Sequence, residues 1–249
     1  MTNFSQEGTT YEAADLTGHI SQKFNTELSE LRNKFLSMGG LVEEQLSNAL
    51  IALTTQDDQL ARRVYSSDYQ VNALEVAIDE ESTLILALRQ PAAVDLRLVF
   101  AIIKAITDLE RIGDQAERIA RMALQMQGET QSKYFVAISH LGDHVRQMLH
   151  DSLDAFARLD TEVALQVISE SRRKVDDEYE SVSRQLLTYM MEDNRTIPIV
   201  LNTLWSARAL ERVAAHSRNI CEYLIYLVKG RDVRHVRLEQ VEQEARQSR

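Results

Sequence analysis

The chain has 249 residues, with 28 Lys and Arg against 38 Asp and Glu and a formal net charge of −10. Eight glycines and two prolines leave too little turn material for a many-stranded fold, so the composition points to long helices. Such acidity repels nucleic-acid phosphates and anionic lipid headgroups. No basic run exceeds scattered groups such as Arg172-Arg173-Lys174, so nucleic acid is not an expected partner. Cys221 is the single cysteine, which excludes an internal disulfide framework and suits a reducing cytoplasm; it reads as a small buried hydrophobe. Residues Met1 to Asp15 carry no apolar signal core, and no apolar run approaches the ~20 residues that span a bilayer. The expectation is a cytoplasmic protein without membrane insertion.

Residues 1–18 are polar and are expected to form a flexible N-terminus. From there apolar residues recur at helical steps of three and four, which predicts six helices over roughly 21–54, 57–89, 92–127, 134–158, 161–191 and 196–229. In the first, Gly39 and Gly40 lie inside the pattern. Each costs about 1 kcal/mol relative to alanine in a helix interior, so a kink or a close helix contact is expected there. "TTQDD" (Thr54 to Asp58) reads as a turn ending in an N-cap, and "RLDTE" (Arg158 to Glu162) is its counterpart. Pro91 is expected to open the third helix and Pro198 to lie in the first turn of the sixth, where a missing N–H is harmless. The third helix carries the stripe Ile102, Ile106, Leu109, Ile112, Ala116, Ile119 and Ala123.

These matches describe a tandem repeat. "SMGGLVEEQLSNALIAL" and "SHLGDHVRQMLHDSLDAF" begin the two units, and "LER" closes both. The fold class expected is all-α, two tandem three-helix bundle repeats, with the first over 19–128 and the second over 129–230. A charged tail, 231–249, follows.

The candidate chemistry lies in carboxylates. Glu110 and Asp114 stand four apart on the third helix, one above the other. On the second, Asp68, Asn72, Glu75 and Asp79 fall at steps of four, three and four, beside the apolar stripe of Val71, Leu74, Ile78 and Ile85. If those helices are neighbours, five carboxylates crowd together and repel unless a cation neutralises them, and oxygen clusters suit hard or borderline metals. The competing reading is a solvated acidic face paired with Arg111 or Arg118. Enzyme signatures are weaker. No histidine follows a Glu at the di-iron spacing, and there is no Gly-rich phosphate loop, zinc spacing or nucleophile–base arrangement. His216 reads as a capping or surface histidine.

"MGGLVEEQL", "RQPAAVDLRLV", "DLERIGDQAERIA", "LLTYMMEDNRTI", "ALERVAAHSRNICE" and "YLVKGRDVRH" together resemble the PhoU family, from about His19 to His235. The resemblance implies a six-helix fold, a homodimer, and metal sites of the divalent or iron type, holding one or several ions. It implies a non-enzymatic negative regulator of phosphate uptake and phosphate-regulon signalling. Its partners would be the phosphate ABC transporter ATPase and a phosphate-sensing histidine kinase. A metal-dependent enzyme with a carboxylate-bridged centre is the alternative. Carried onto this chain, the first-repeat ligands are Asp68, Asn72, Glu75, Asp79, Glu110 and Asp114. The second repeat departs: with Val71 matched to Val175, Arg172, Asp176, Tyr179 and Ser183 replace the four residues of the row, and Ala215 replaces Asp114. Asp176, Glu180 and Glu211 remain there as candidate ligands of a reduced site.

Overall fold

The computed structural model describes residues 22–126 and 133–233, apart from the side chains of Lys133, Ala137, Arg172 and Arg173. Helix α1 (Gln22–Thr55) is followed by α2 (Asp58–Ser67), α3 (Tyr69–Arg89) and α4 (Ala93–Gln125). Then come α5 (Lys133–Arg158), α6 (Thr161–Glu170), a π turn (Ser171–Val175) and α7 (Asp176–Glu192). A 3₁₀ turn (Asn194–Thr196) leads into α8 (Ile197–Lys229), and no strand occurs among the described residues. Helices α1–α4 pack on one another, as do α5–α8, and the two sets meet through α4 against α8 and α1 against α5. The expectations for residues 1–18, and for the tail from 234 on, lie outside the described residues.

Two of the predicted helices are interrupted, at matching places. The stretch 57–89 is two helices, jointed at Asp68, which is followed by short-range bonds from Val71 N and Asn72 N to the Asp68 carbonyl (3.0 and 3.3 Å). Just before the joint, the Ser66 and Ser67 hydroxyls donate to the carbonyls of Arg63 and Val64 (3.1 and 2.9 Å). Hydroxyls that compete for helix carbonyls in this way bend a helix. The stretch 161–191 is interrupted by the π turn at Ser171–Val175. Buried Ala61 and Val64 match Ala164 and Val167, an offset of 103, whereas Val71 and Ile78 match Val175 and Val182, an offset of 104. The second repeat thus holds one extra residue at this point, and a π turn is how a helix absorbs one.

The turn between the first two helices of each repeat is the same device. Gln56 and Leu159 both take the left-handed conformation (φ 56° and 58°). Asp57 N and Asp160 N then reach back to the carbonyls of Ala52 and Ala155 (3.1 and 2.9 Å), satisfying orphan carbonyls at the helix end. Each aspartate caps the next helix: Asp57 accepts from Leu60 N (3.0 Å), and Asp160 from Glu162 N and Val163 N (2.9 and 3.1 Å). Pro198 sits in the first turn of α8, as expected, but α4 begins at Ala93, so Pro91 precedes it rather than opening it.

A pseudo-twofold relation governs the packing between repeats. A Cβ at Gly39 of α1 would lie 2.6 Å from Leu153 Cδ2 of α5, and one at Gly142 of α5 would lie 2.7 Å from Leu50 Cδ2 of α1. Helix α1 is continuous through this point, and Gly39 makes the close helix contact that was expected, while Gly40 faces open space. Helices α4 and α8 run antiparallel: Arg97 Nε donates to the Leu227 carbonyl (3.1 Å) and Thr203 Oγ1 lies 3.7 Å from Met126 Sδ. The predicted stripe from Ile102 to Ala123 is buried throughout. Burial of each such large side chain contributes about 1.5–3 kcal/mol. Cys221 is buried, and burial pushes its thiol far above the usual range.

Candidate metal centre

The joint between α2 and α3 delivers Asp68 to α4. Gly113, buried on α4, leaves room for this approach: a Cβ there would stand 3.4 Å from Asp68 Oδ1 and Val71 Cγ1, and 3.5 Å from Gln45 Oε1. Asp68, Asp114 and Glu117 each offer a carboxylate oxygen, all within 4.8 Å of one another. Glu110 lies one helical turn before Asp114. Glu117 is absent from the ligands inferred from the sequence, although its i, i+3 relation to Asp114 in "DQAE" carried the signal.

The other inferred ligands surround this core at different distances. Asn72 donates from Nδ2 to Asp68 Oδ2 (3.2 Å), so it orients the aspartate. Glu75 lies near Thr107 and close enough to Asp114 and Asp79 to feel their charge. Asp79 is exposed on the next turn of α3. Arg111 makes ion pairs with Glu110 Oε2 and Asp114 Oδ2, each at 3.4 Å.

The electrostatics report crowding. Burial is the first cause that raises the carboxyls of Asp68, Glu75, Glu110 and Glu117 above their ordinary range. The Asp114 charge adds to the rise in each case, and Arg111 opposes it at Glu75 and Glu110, as Arg121 does at Glu117. Asp68 Oδ1 and Gln45 Oε1 are buried acceptors without a hydrogen-bond donor. Two oxygens bound to one hard cation at about 2.4 Å stand no more than about 4.8 Å apart. Asp68, Asp114 and Glu117 meet that condition, and the donor-poor oxygen of Asp68 is the kind a cation would satisfy. The residues fit a hard cation.

The second repeat gathers no such group among the described residues. Glu211 is paired with Arg208 (3.1 Å), Glu180 with Arg184 (3.4 Å), and Glu178 with His144 (2.7 Å). Asp176 is exposed. Tyr179, at the position of Glu75, lies beneath the Arg208 guanidinium, 5.7 Å from it to the ring centroid. The expectation that Arg172 stands in the place of Asp68 falls on a side chain outside those described. His216 is neither a cap nor a free surface group. Its Nδ1 lies 2.6 Å from Asp108 Oδ1, which also accepts from Asn219 Nδ2 (3.0 Å), so this trio ties α8 to α4.

A model of the PhoU domain matches residues 35–123 and again 138–224. The chain belongs to the PhoU family. The phosphate-specific transport system accessory protein PhoU of Serratia marcescens is 52% identical over 225 residues, 90% of this chain and 92% of that one. Its Escherichia coli counterpart is 51% identical, over 90% and 93%. The crystal structure of PhoU from Pseudomonas aeruginosa superposes with a TM-score of 0.81 at 49% identity, covering 84% of this chain and all of that one. The regulatory PhoU from Streptococcus pneumoniae superposes at 0.78 with 33% identity, covering 84% of this chain and 99% of that one. Each half of this chain therefore carries one PhoU match, and the acid cluster lies within the first. No helix among the described residues is long and apolar enough to cross a membrane.

Proposed function

We propose that this PhoU protein is an accessory regulator of phosphate transport that acts without catalysis. It restrains uptake and phosphate-regulon signalling through contacts with the phosphate ABC transporter ATPase and its sensor histidine kinase. The observation that carries this reading is the likeness over nine-tenths of the chain to proteins named as accessory to phosphate transport. We place it in the cytoplasm as a homodimer, with repeats divided near 128/129. The first-repeat carboxylates hold a cation of the divalent or iron type, one ion or several. Asp68, Asp114 and Glu117 supply the central oxygens, with Glu110, Glu75, Asp79 and Asn72 around them. Such an ion neutralises the cluster and fastens the joint at Asp68 to α4, stiffening the first repeat. Asp176, Glu180 and Glu211 contribute at most weak binding.

Deleting the gene in its own host tests the regulatory role. Phosphate-regulon expression and phosphate uptake should rise under phosphate-replete conditions and return to normal with the wild-type gene. Unchanged expression and uptake in the deletion strain would refute the proposal. Phosphatase or oxidase turnover by the metal-loaded protein, lost in Asp114→Ala, would favour an enzyme instead.

A further inference from the structure

The fold assembles what the sequence scatters. On the α4–α8 pair, Arg118 and Arg121 of α4 meet Arg208 and Arg212 of α8 along a groove of about 590 Å³ with no carboxylate in its own lining, although the same four arginines also line an adjoining pocket with Asp114, Glu117 and Glu211. These residues stand three and four apart on two antiparallel helices, so no run of basic residues announces them. The chain carries a net charge of −10, so four guanidiniums gathered in one groove stand against its overall sign. Their partners are few. Arg208 reaches Glu211 (3.1 Å) and Arg121 only distantly reaches Glu117 (3.9 Å). Arg118 and Arg212 have neither a hydrogen-bond nor an ion-pair partner among the described residues and are exposed. Trp205, half exposed, lines the same groove.

We propose that this groove binds a small anion bearing a di- or triphosphate chain. Guanidinium forks match phosphate oxygens two at a time, and unpaired ones are already free to do so. The volume lies within the roughly 300–1,000 Å³ of small-molecule sites, which favours such a ligand over a macromolecular segment. Trp205 offers a flat apolar face beside the guanidiniums, suited to stacking a nucleobase. The same phosphate chemistry is available from an inorganic chain or from a nucleotide, and Trp205 separates the two sources. The groove adjoins the acid cluster, because its four arginines also face the pocket lined by Asp114, Glu117 and Glu211; the phosphates are assigned to the end bounded by Trp205.

Trp205 is the only tryptophan of the chain, so intrinsic fluorescence reads the groove directly. Titration of the full-length, metal-free protein with ATP should change that signal saturably. Sodium sulfate at matched ionic strength should not reproduce the effect. Arg118→Ala with Arg212→Ala should weaken ATP binding at least about tenfold, since each fork lost removes a charged hydrogen bond. The Lys/Lys pair, which keeps charge without the fork, should fall between. Circular dichroism checks that these variants remain folded. By calorimetry, Trp205→Ala should weaken ATP but not tripolyphosphate if a nucleotide is the ligand, and neither if the chain alone is recognised; both results keep the site. The site is overturned by no saturable response, by an equal effect of sulfate, by unaltered affinity in the double Ala variant, or by a poly-glutamate peptide competing as well as ATP. The last would make the groove a docking surface for an acidic protein. ATP binding that requires added Mg²⁺ and is lost in Asp114→Ala, but not in the arginine variant, would place the phosphates on a cluster-bound cation and also contradict the proposal.

Discussion

The two repeats share their scaffolding and differ in their charge. The left-handed residue followed by an aspartate cap recurs at Gln56–Asp57 and Leu159–Asp160. The glycine-to-leucine contacts at Gly39 and Gly142 are reciprocal and nearly equal. On this common frame the first repeat brings Asp68, Asp114 and Glu117 together, with Glu110 one turn away and with Arg111 and Arg121 as ion-pair partners of Glu110, Asp114 and Glu117. The second pairs Glu211 and Glu180 with arginines and sets Glu178 against the His144 ring. Packing positions can therefore repeat while the chemistry they carry does not. Asp68, Glu75, Glu110 and Glu117, whose carboxyls are raised by burial and by the Asp114 charge, all belong to this first-repeat group.

If the glycine contacts are truly equivalent, Gly39→Val and Gly142→Val should each destabilise the protein by about 1–3 kcal/mol, the cost of overpacking a close helix contact. Urea unfolding of both variants checks this. Unequal losses would mean that one repeat relaxes around the added methyls and the other cannot.

Removing the caps should cost less, about 1 kcal/mol each for Asp57→Ala and Asp160→Ala. Asp160 accepts from two amides and Asp57 from one, so thermal melts should show the larger loss for Asp160→Ala.

The smallest effect distinguishes the acid cluster. A carboxyl raised in the folded state lends stability that is full below its unfolded value and lost as pH rises through its folded value. The metal-free protein should therefore gain stability from this cluster as pH falls from 7 toward about 5. Asp68→Asn removes one charge from the group and should stabilise the metal-free protein at pH 7 by roughly 0.5 kcal/mol, seen as a higher melting point, if the repulsion resembles that of like charges on one helix face. The gain should shrink on acidification. A variant less stable than wild type at pH 7 would show that the ionised Asp68 is already compensated without metal.

Much of this was legible in the chain itself. Periodicity and scarce turn residues suffice for an all-α fold, and the apolar stripe of the third predicted helix is buried as its spacing demands. The joint at Asp68 and the π turn escaped because neither interrupts the apolar period. Serines that bond their own carbonyls, and a one-residue difference in offset, are faint signs of both. Asp68 and Asp114 were recoverable from spacing, whereas the i, i+3 relation of Glu117 to Asp114 was a weaker sign that the joint at Asp68 made decisive. The bond between His216 and Asp108, and the arginine groove, join residues that no local pattern connects.

Metal content measured on wild type, Asp114→Ala and the paired second-repeat variant Asp176→Ala with Glu211→Ala tests the asymmetry most directly. Protein reconstituted with iron or manganese and passed through a desalting column should retain metal as wild type and as the second-repeat variant. Asp114→Ala should lose most of it, because too few oxygens remain to offset the ion's dehydration. Full retention by Asp114→Ala, or loss of half the metal in the second-repeat variant, would contradict a site confined to the first repeat.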